Sequence, residues 1–138
     1  MKQLIVNAKI ENLEKIIDFI SHELKNYNCP DKIKMQVELA AEEIYSNIIK
    51  YAFTDSKESI FEKNITFQLK LSPESLSMIF IDSGKPYNPL ESKEPNIELS
   101  SENRNIGGLG IFLVKKVMDD IHYSHEDNKN VLTLIKIF

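Results

Sequence analysis

Apolar residues recur along this chain with two different periods, and the order in which those periods alternate is its strongest constraint. Leu4, Val6, Ala8 and Ile10 occupy every second position of Lys2 to Ile10, which reads as a half-buried strand. From Glu11 or Asn12 the spacing becomes that of a helix face, with Leu13, Ile16, Ile17, Ile20 and Leu24 on one side. Pro30-Asp31 restarts the chain, and Ile33, Val37, Ala41, Ile44, Ile48 and Ala52 define one long helix from about Asp31 to Ala52. Period two returns in Asn64 to Leu71 and Leu76 to Ile81, joined by the hairpin signal Ser72-Pro73-Glu74-Ser75. A third helix is expected over Leu109 to Met118. Two more strands follow, Ile121 to His125 and Val131 to Ile137, about a turn at Asp127-Asn128-Lys129-Asn130. This order predicts an α+β fold: a two-layer sandwich with helices on one face of a mostly antiparallel, mixed sheet.

At 138 residues the chain suits one domain, 1–138. A chain of this size buries about two-thirds of its unfolded surface, enough for a core without disulfides or a structural metal. Hydrophobic residues at 42% and charged residues at 28% fit a soluble globular protein. No apolar run approaches a membrane span, and the N-terminus turns polar too early for a secretory signal. The single cysteine, Cys29, has no internal partner and offers no metal cluster, so the expected compartment is a reducing cytoplasm. Seventeen basic against 21 acidic residues, with no basic stripe, argue against direct nucleic-acid binding.

Glycine is scarce, and its placement is informative. Only four occur, Gly84, Gly107, Gly108 and Gly110, all in two short motifs. Between the motifs lies a proline-rich polar stretch (Pro86, Pro89, Pro95) too long for an ordinary connection, and it reads as a lid over about 84–106. The only arginine, Arg104, sits at its end.

Three constellations carry the candidate chemistry. On the long helix, Glu43 and Asn47 are one turn apart and share a side, with Glu42 and Ser46 turned away. A carboxylate and a carboxamide so spaced can orient a hydroxyl and ligate Mg²⁺ through oxygen. In Ile79-Phe80-Ile81-Asp82-Ser83-Gly84-Lys85-Pro86, an apolar strand ends in an aspartate able to accept from a ligand amine. A plain Asx turn is the simpler account of the same residues. In Asn105-Ile106-Gly107-Gly108-Leu109-Gly110, glycines open a helix whose bare amides can form an anion site, and a flexible loop joint accounts for the same residues equally well. It is neither a P-loop nor a Rossmann fingerprint, for it lacks Gly-Lys-Ser/Thr and no strand precedes it.

In order and spacing the three together resemble the GHKL ATPases, which include histidine kinases and Hsp90-type chaperones. Glu43-Ile44-Tyr45-Ser46-Asn47 is similar to the N box. Asp82 to Pro89 is similar to the first glycine box, and Gly107-Gly108-Leu109-Gly110-Ile111 to the second. Pro86 and the tail, Asn130-Val131-Leu132-Thr133-Leu134, resemble the small bacterial anti-sigma factor serine kinases. The resemblance spans nearly the whole chain and implies the Bergerat (GHKL) ATP-binding fold.

It also implies roles. Glu43 would be the general base for an acceptor hydroxyl and Asn47 the ligand of Mg²⁺. Asp82 would accept from the adenine amine, supported by Thr133, and Gly84 would let the backbone pass close to the base. Gly107, Gly108 and Gly110 would line the ATP phosphates. Arg104 matches no family position; it lies where it could reach the terminal phosphate, or it is a solvated lid residue. The implied activity is a serine/threonine-protein kinase that phosphorylates a STAS-type anti-anti-sigma protein and holds a sigma factor. The implied cofactors are ATP and Mg²⁺, and relatives of this branch commonly form a homodimer. Tyr51 departs from the pattern, standing where many relatives carry histidine. Two rival readings are an ATP-binding partner switch without phosphoryl transfer and an interaction module without nucleotide. Ser21-His22-Glu23-Leu24-Lys25 looks like a histidine-kinase phosphoacceptor, but it lies too close to the N box for a separate dimerisation hairpin and reads as coincidence.

Overall fold

The computed structural model describes residues 1–53, 63–91 and 106–138, and of 106–109 the backbone alone. Five strands, β1 (Lys2–Asn7), β2 (Asn64–Leu71), β3 (Ser75–Asp82), β4 (Asp120–Glu126) and β5 (Lys129–Ile137), form one sheet in the order β1-β2-β3-β5-β4. Among the described residues all four pairings are antiparallel, so the sheet there contains no parallel pair and is antiparallel rather than mixed. Three helices, α1 (Leu13–Leu24), α2 (Asp31–Asn47) and α3 (Ile106–Val117), complete the α+β sandwich expected from the sequence.

One face of the sheet is buried. Phe67, Phe80 and Leu132 stand in register across β2, β3 and β5, as do Leu69, Met78 and Leu134 one row along. Against them α1 packs Ile16, Ile20 and Leu24, α2 packs Val37, Ala41 and Ile44, and α3 packs Ile111 and Val114. Phe19 meets Phe67 edge to face at 5.9 Å, a preferred aromatic geometry. Each buried aliphatic or aromatic side chain contributes about 1.5–3 kcal/mol.

Element ends differ from the expected ones for local reasons. β1 stops at Asn7, because Asn12 Nδ2 takes the Asn7 carbonyl at 2.9 Å and Ile10–Asn12 coils into a 3₁₀ turn. The long helix is α-helical only to Asn47 and ends in a π turn over Ile48–Ala52. Tyr45, fully buried in α2, donates its hydroxyl to the Lys9 and Asn7 carbonyls and ties the helix to the chain leaving β1. Burial pushes the Tyr45 phenol up to about 12. α3 begins at Ile106, so the glycines lie inside its first turns rather than ahead of them. At its far end, Lys136 reaches through the core to donate to the Val117 carbonyl at 2.7 Å, which caps the helix.

Candidate functional site

Glu43 and Asn47 sit one turn apart on α2 and face the same way. Asn47 is only 4% exposed. Its Nδ2 has no hydrogen-bond partner among the described residues. Leaving such a group unpaired costs about 1–3 kcal/mol, so this carboxamide calls for an explanation beyond packing. Glu43 is half-buried, and burial first, then the neighbouring Glu42 charge, raises its carboxyl above the ordinary value. Its carboxylate rests on α3 at Gly110: a Cβ built there would overlap Glu43 Oε2 and lie 2.8 Å from Glu43 Cδ.

Asp82 closes β3 in a row that runs Val6, Ile65, Asp82, Asn130, His125 across the sheet. It is 3% exposed. Its Oδ1 accepts from the Gly84 amide at 2.9 Å and from Asn130 Nδ2 at 3.0 Å. Its Oδ2 takes no hydrogen bond among the described residues. Burial raises its pKa, against the lowering pull of the Asn130 and Gly84 hydrogen bonds and the His125 charge.

The end of the π turn joins these two regions. The Ala52 carbonyl accepts from the Lys85 amide at 3.0 Å, which satisfies one of the orphan carbonyls of a helix end. Gly84 presses on the same residue: a Cβ at Gly84 would lie 2.6 Å from Ala52 O and 2.9 Å from Ala52 Cβ. From Glu43 to Ala52 the helix rises roughly 13 Å at helical pitch. Gly110 meets its start, Gly84, whose amide donates to Asp82, meets its end, and Asn47, its amide unpaired among the described residues, lies between them along the helix.

Sequence reasoning missed Asn130. This side chain, 4% exposed, uses its whole carboxamide. Nδ2 donates to Asp82 Oδ1 and to the Lys85 carbonyl at 2.9 Å, and Oδ1 accepts from the Tyr87 amide at 3.1 Å and from the Tyr123 hydroxyl. Thr133, expected beside Asp82, is not there. It pairs with Ile79 and His122, and successive residues of a strand face opposite sides, so it stands on the face away from Asp82. The apolar residues of β5 did not reveal this, because Leu132 and Leu134 on one face are matched by Val131 and Ile135 on the other.

The expected lid is anchored at its start. Besides the Asn130 and Ala52 bonds, Asn88 Oδ1 accepts from the Leu90 amide at 2.9 Å, and Lys115 Nζ donates to the Leu90 carbonyl at 3.2 Å. The Tyr87 ring lies 5.2 Å from that of Tyr51. Through Glu91, therefore, this segment is part of the packed structure. The rest of the lid, with Arg104, lies outside the described residues. Gly107 and Gly108 fall in the first turn of α3, where amides lack intrahelical partners.

Other candidates resolve simply. His22 is exposed on α1. His122 Nε2 pairs with Asp120 Oδ2 at 2.8 Å on an exposed strand. Cys29 Sγ faces the Pro30 carbonyl at 3.7 Å. Among the described residues no cluster of His, Cys, Asp or Glu could hold a metal, and no helix is long and apolar enough to cross a membrane.

Comparison with known proteins bears on the family and the fold. The chain is 27% identical over 103 residues to the serine/threonine-protein kinase BtrW of Bordetella bronchiseptica, covering 75% of this chain and 70% of that protein. It is 30% identical over 100 residues to the serine-protein kinase RsbW of Bacillus cereus, covering 70% of this chain and 59% of RsbW, less than two-thirds of that relative's length. The same fold occurs in the RsbU and RsbW domains of a Mycobacterium tuberculosis protein, with TM-score 0.61 and 11% identity over 99% of this chain and 33% of that one. It occurs again in the mycobacterial sensor histidine kinase MprB, with TM-score 0.54 and 12% identity over 99% and 97% of the two chains. The profile of the histidine kinase-like ATPase domain matches residues 6–136, nearly the whole chain, and the chain belongs to that family.

Proposed function

We propose that this protein is an ATP-dependent serine/threonine kinase of the anti-sigma type, acting in the cytoplasm. It would phosphorylate a STAS-type anti-anti-sigma protein and hold a sigma factor while that antagonist is phosphorylated. The observation that carries the reading is the buried Asn47 amide, without a hydrogen-bond partner among the described residues, on the helix between Glu43, which meets Gly110, and Ala52, which meets Gly84. The kinase names of the relatives supply the reaction class.

The residues divide the work. Asp82 keeps an oxygen, Oδ2, with no hydrogen bond among the described residues, where a purine amine would donate, and Gly84 keeps the backbone low beside it. The α3 amides at Gly107 and Gly108 face the phosphates at the positive end of a helix dipole. Asn47 has a carboxamide left over for the nucleotide and its cation. The described residues offer no acidic cluster for a metal, so Mg²⁺ would arrive with the phosphates, as it commonly does. When bound it would neutralise phosphate charge. Glu43 takes the proton of the acceptor hydroxyl as that oxygen bonds to the γ-phosphorus. The bond from γ-phosphorus to the bridging oxygen breaks, and ADP leaves. Phosphoryl transfer depends mainly on positioning and electrostatics, so few reacting side chains are needed.

Incubation with radiolabelled ATP and candidate STAS proteins tests the reading. Label transferred by the wild type and lost in Glu43→Ala supports a kinase. ATP binding without transfer to any acceptor supports a nucleotide-gated partner switch. A flat calorimetric titration with Mg-ATP leaves an interaction module.

A further inference from the structure

Gly110 is the one glycine of the second motif whose surroundings are defined, and they consist of Glu43. The three nearest atoms to a Cβ at this position are Oε2, Cδ and Cγ of that side chain, with Cγ at 3.5 Å. No glycine among the described residues has a positive φ, so the backbone here would accept alanine. Alanine is also the better helix former. Gly110 lies in the second turn of α3, beyond the amides that a helix leaves unpaired at its start. It therefore does not present a free N–H to a phosphate as Gly107 and Gly108 do. What its missing side chain leaves room for is a carboxylate.

We propose that Gly110 is a positioning residue: its bare Cα is the seat that holds the Glu43 carboxylate against α3 in its working orientation. This rests on the reading of Glu43 as the general base. Any side chain at 110 pushes the carboxylate off α3 toward solvent. Nucleotide affinity stays, and proton acceptance is impaired.

The test uses the full chain carrying Gly110→Ala, with Glu43→Ala, Glu43→Gln and the double variant Glu43→Ala/Gly110→Ala alongside. In protein labelled with ¹³C at glutamate carboxyls, the resonance absent from Glu43→Gln is that of Glu43. It should titrate above the ordinary glutamate range in the wild type and return toward that range in Gly110→Ala. Mg-ATP affinity by calorimetry should stay within about threefold of wild type. Phosphate transfer to the acceptor should fall at least tenfold through kcat, with KM for ATP unchanged. Thermal melts control for folding. Gly110→Ala should raise the midpoint less in the wild-type background than in Glu43→Ala, where the collision is gone and the helix propensity of alanine acts alone. An unchanged Glu43 titration, an equal shift of midpoint in both backgrounds, or a tenfold loss of Mg-ATP affinity overturns the proposal, the last returning Gly110 to the phosphates. If the wild type itself fails to bind Mg-ATP, the kinase reading falls, while the titration and the melts still decide whether Gly110 seats Glu43.

Discussion

Asn130 stands directly across the β3–β5 ladder from Asp82, and its amide donates to Asp82 Oδ1 at 3.0 Å. The same carboxamide holds the Lys85 carbonyl and the Tyr87 amide. One buried side chain thus sets both the aspartate proposed to read the base and the root of the segment that follows it. Asn130→Ala would remove one of two hydrogen bonds from the buried Asp82 Oδ1 and strip the part-buried Lys85 carbonyl, Tyr87 amide and Tyr123 hydroxyl of a partner, at a total cost of about 1–3 kcal/mol. The expected result is a protein unfolding at clearly lower urea, with faster hydrogen exchange at the Tyr87 amide. Exchange there at the wild-type rate would show that the clamp is not formed.

Asn47→Leu separates function from stability. The substitution replaces the carboxamide by two methyls on the same branched skeleton, so the relief of an unpaired buried amide outweighs the tighter packing and the nucleotide-free protein should be at least as stable as wild type in a urea titration. Mg-ATP binding, measured by calorimetry, should be lost. A residue kept only for packing would show the opposite pattern.

Gly84→Ala meets backbone rather than a flexible side chain, since Ala52 O lies 2.6 Å from the new methyl. Neither partner can move without breaking the Lys85–Ala52 hydrogen bond. Overpacking of this kind costs about 1–3 kcal/mol. The urea midpoint should fall accordingly, with nucleotide affinity falling alongside it.

Asp82 and Glu43 both have carboxyls raised by burial. Each binds its proton more tightly in the folded than in the unfolded chain. Between the ordinary carboxylate value and the raised one, the folded state therefore carries more protons, and stability falls as pH rises through that window. Asp82→Asn should remove the Asp82 share of this decline and make the nucleotide-free protein more stable at neutral pH. It should also weaken ATP binding by roughly tenfold to a hundredfold, the worth of a hydrogen bond to a charged group. Denaturant melts across acid to neutral pH, paired with calorimetry, check both signs.

The sequence by itself determined the elements and everything that depends on local period. Five strands and three helices follow from apolar spacing, and the shared side of Glu43 and Asn47 follows from helical pitch. The four glycines mark the two motifs. Relations between elements were another matter. That Asn130 rather than Thr133 faces Asp82 depends on strand register, where a shift of one residue reverses every side chain, and both faces of β5 carry aliphatic residues. That Gly110 lies under Glu43, and Gly84 under Ala52, depends on how α3 and the end of β3 pack on α2. Those contacts join residues more than thirty positions apart, and only the close packing of the folded chain brings them together.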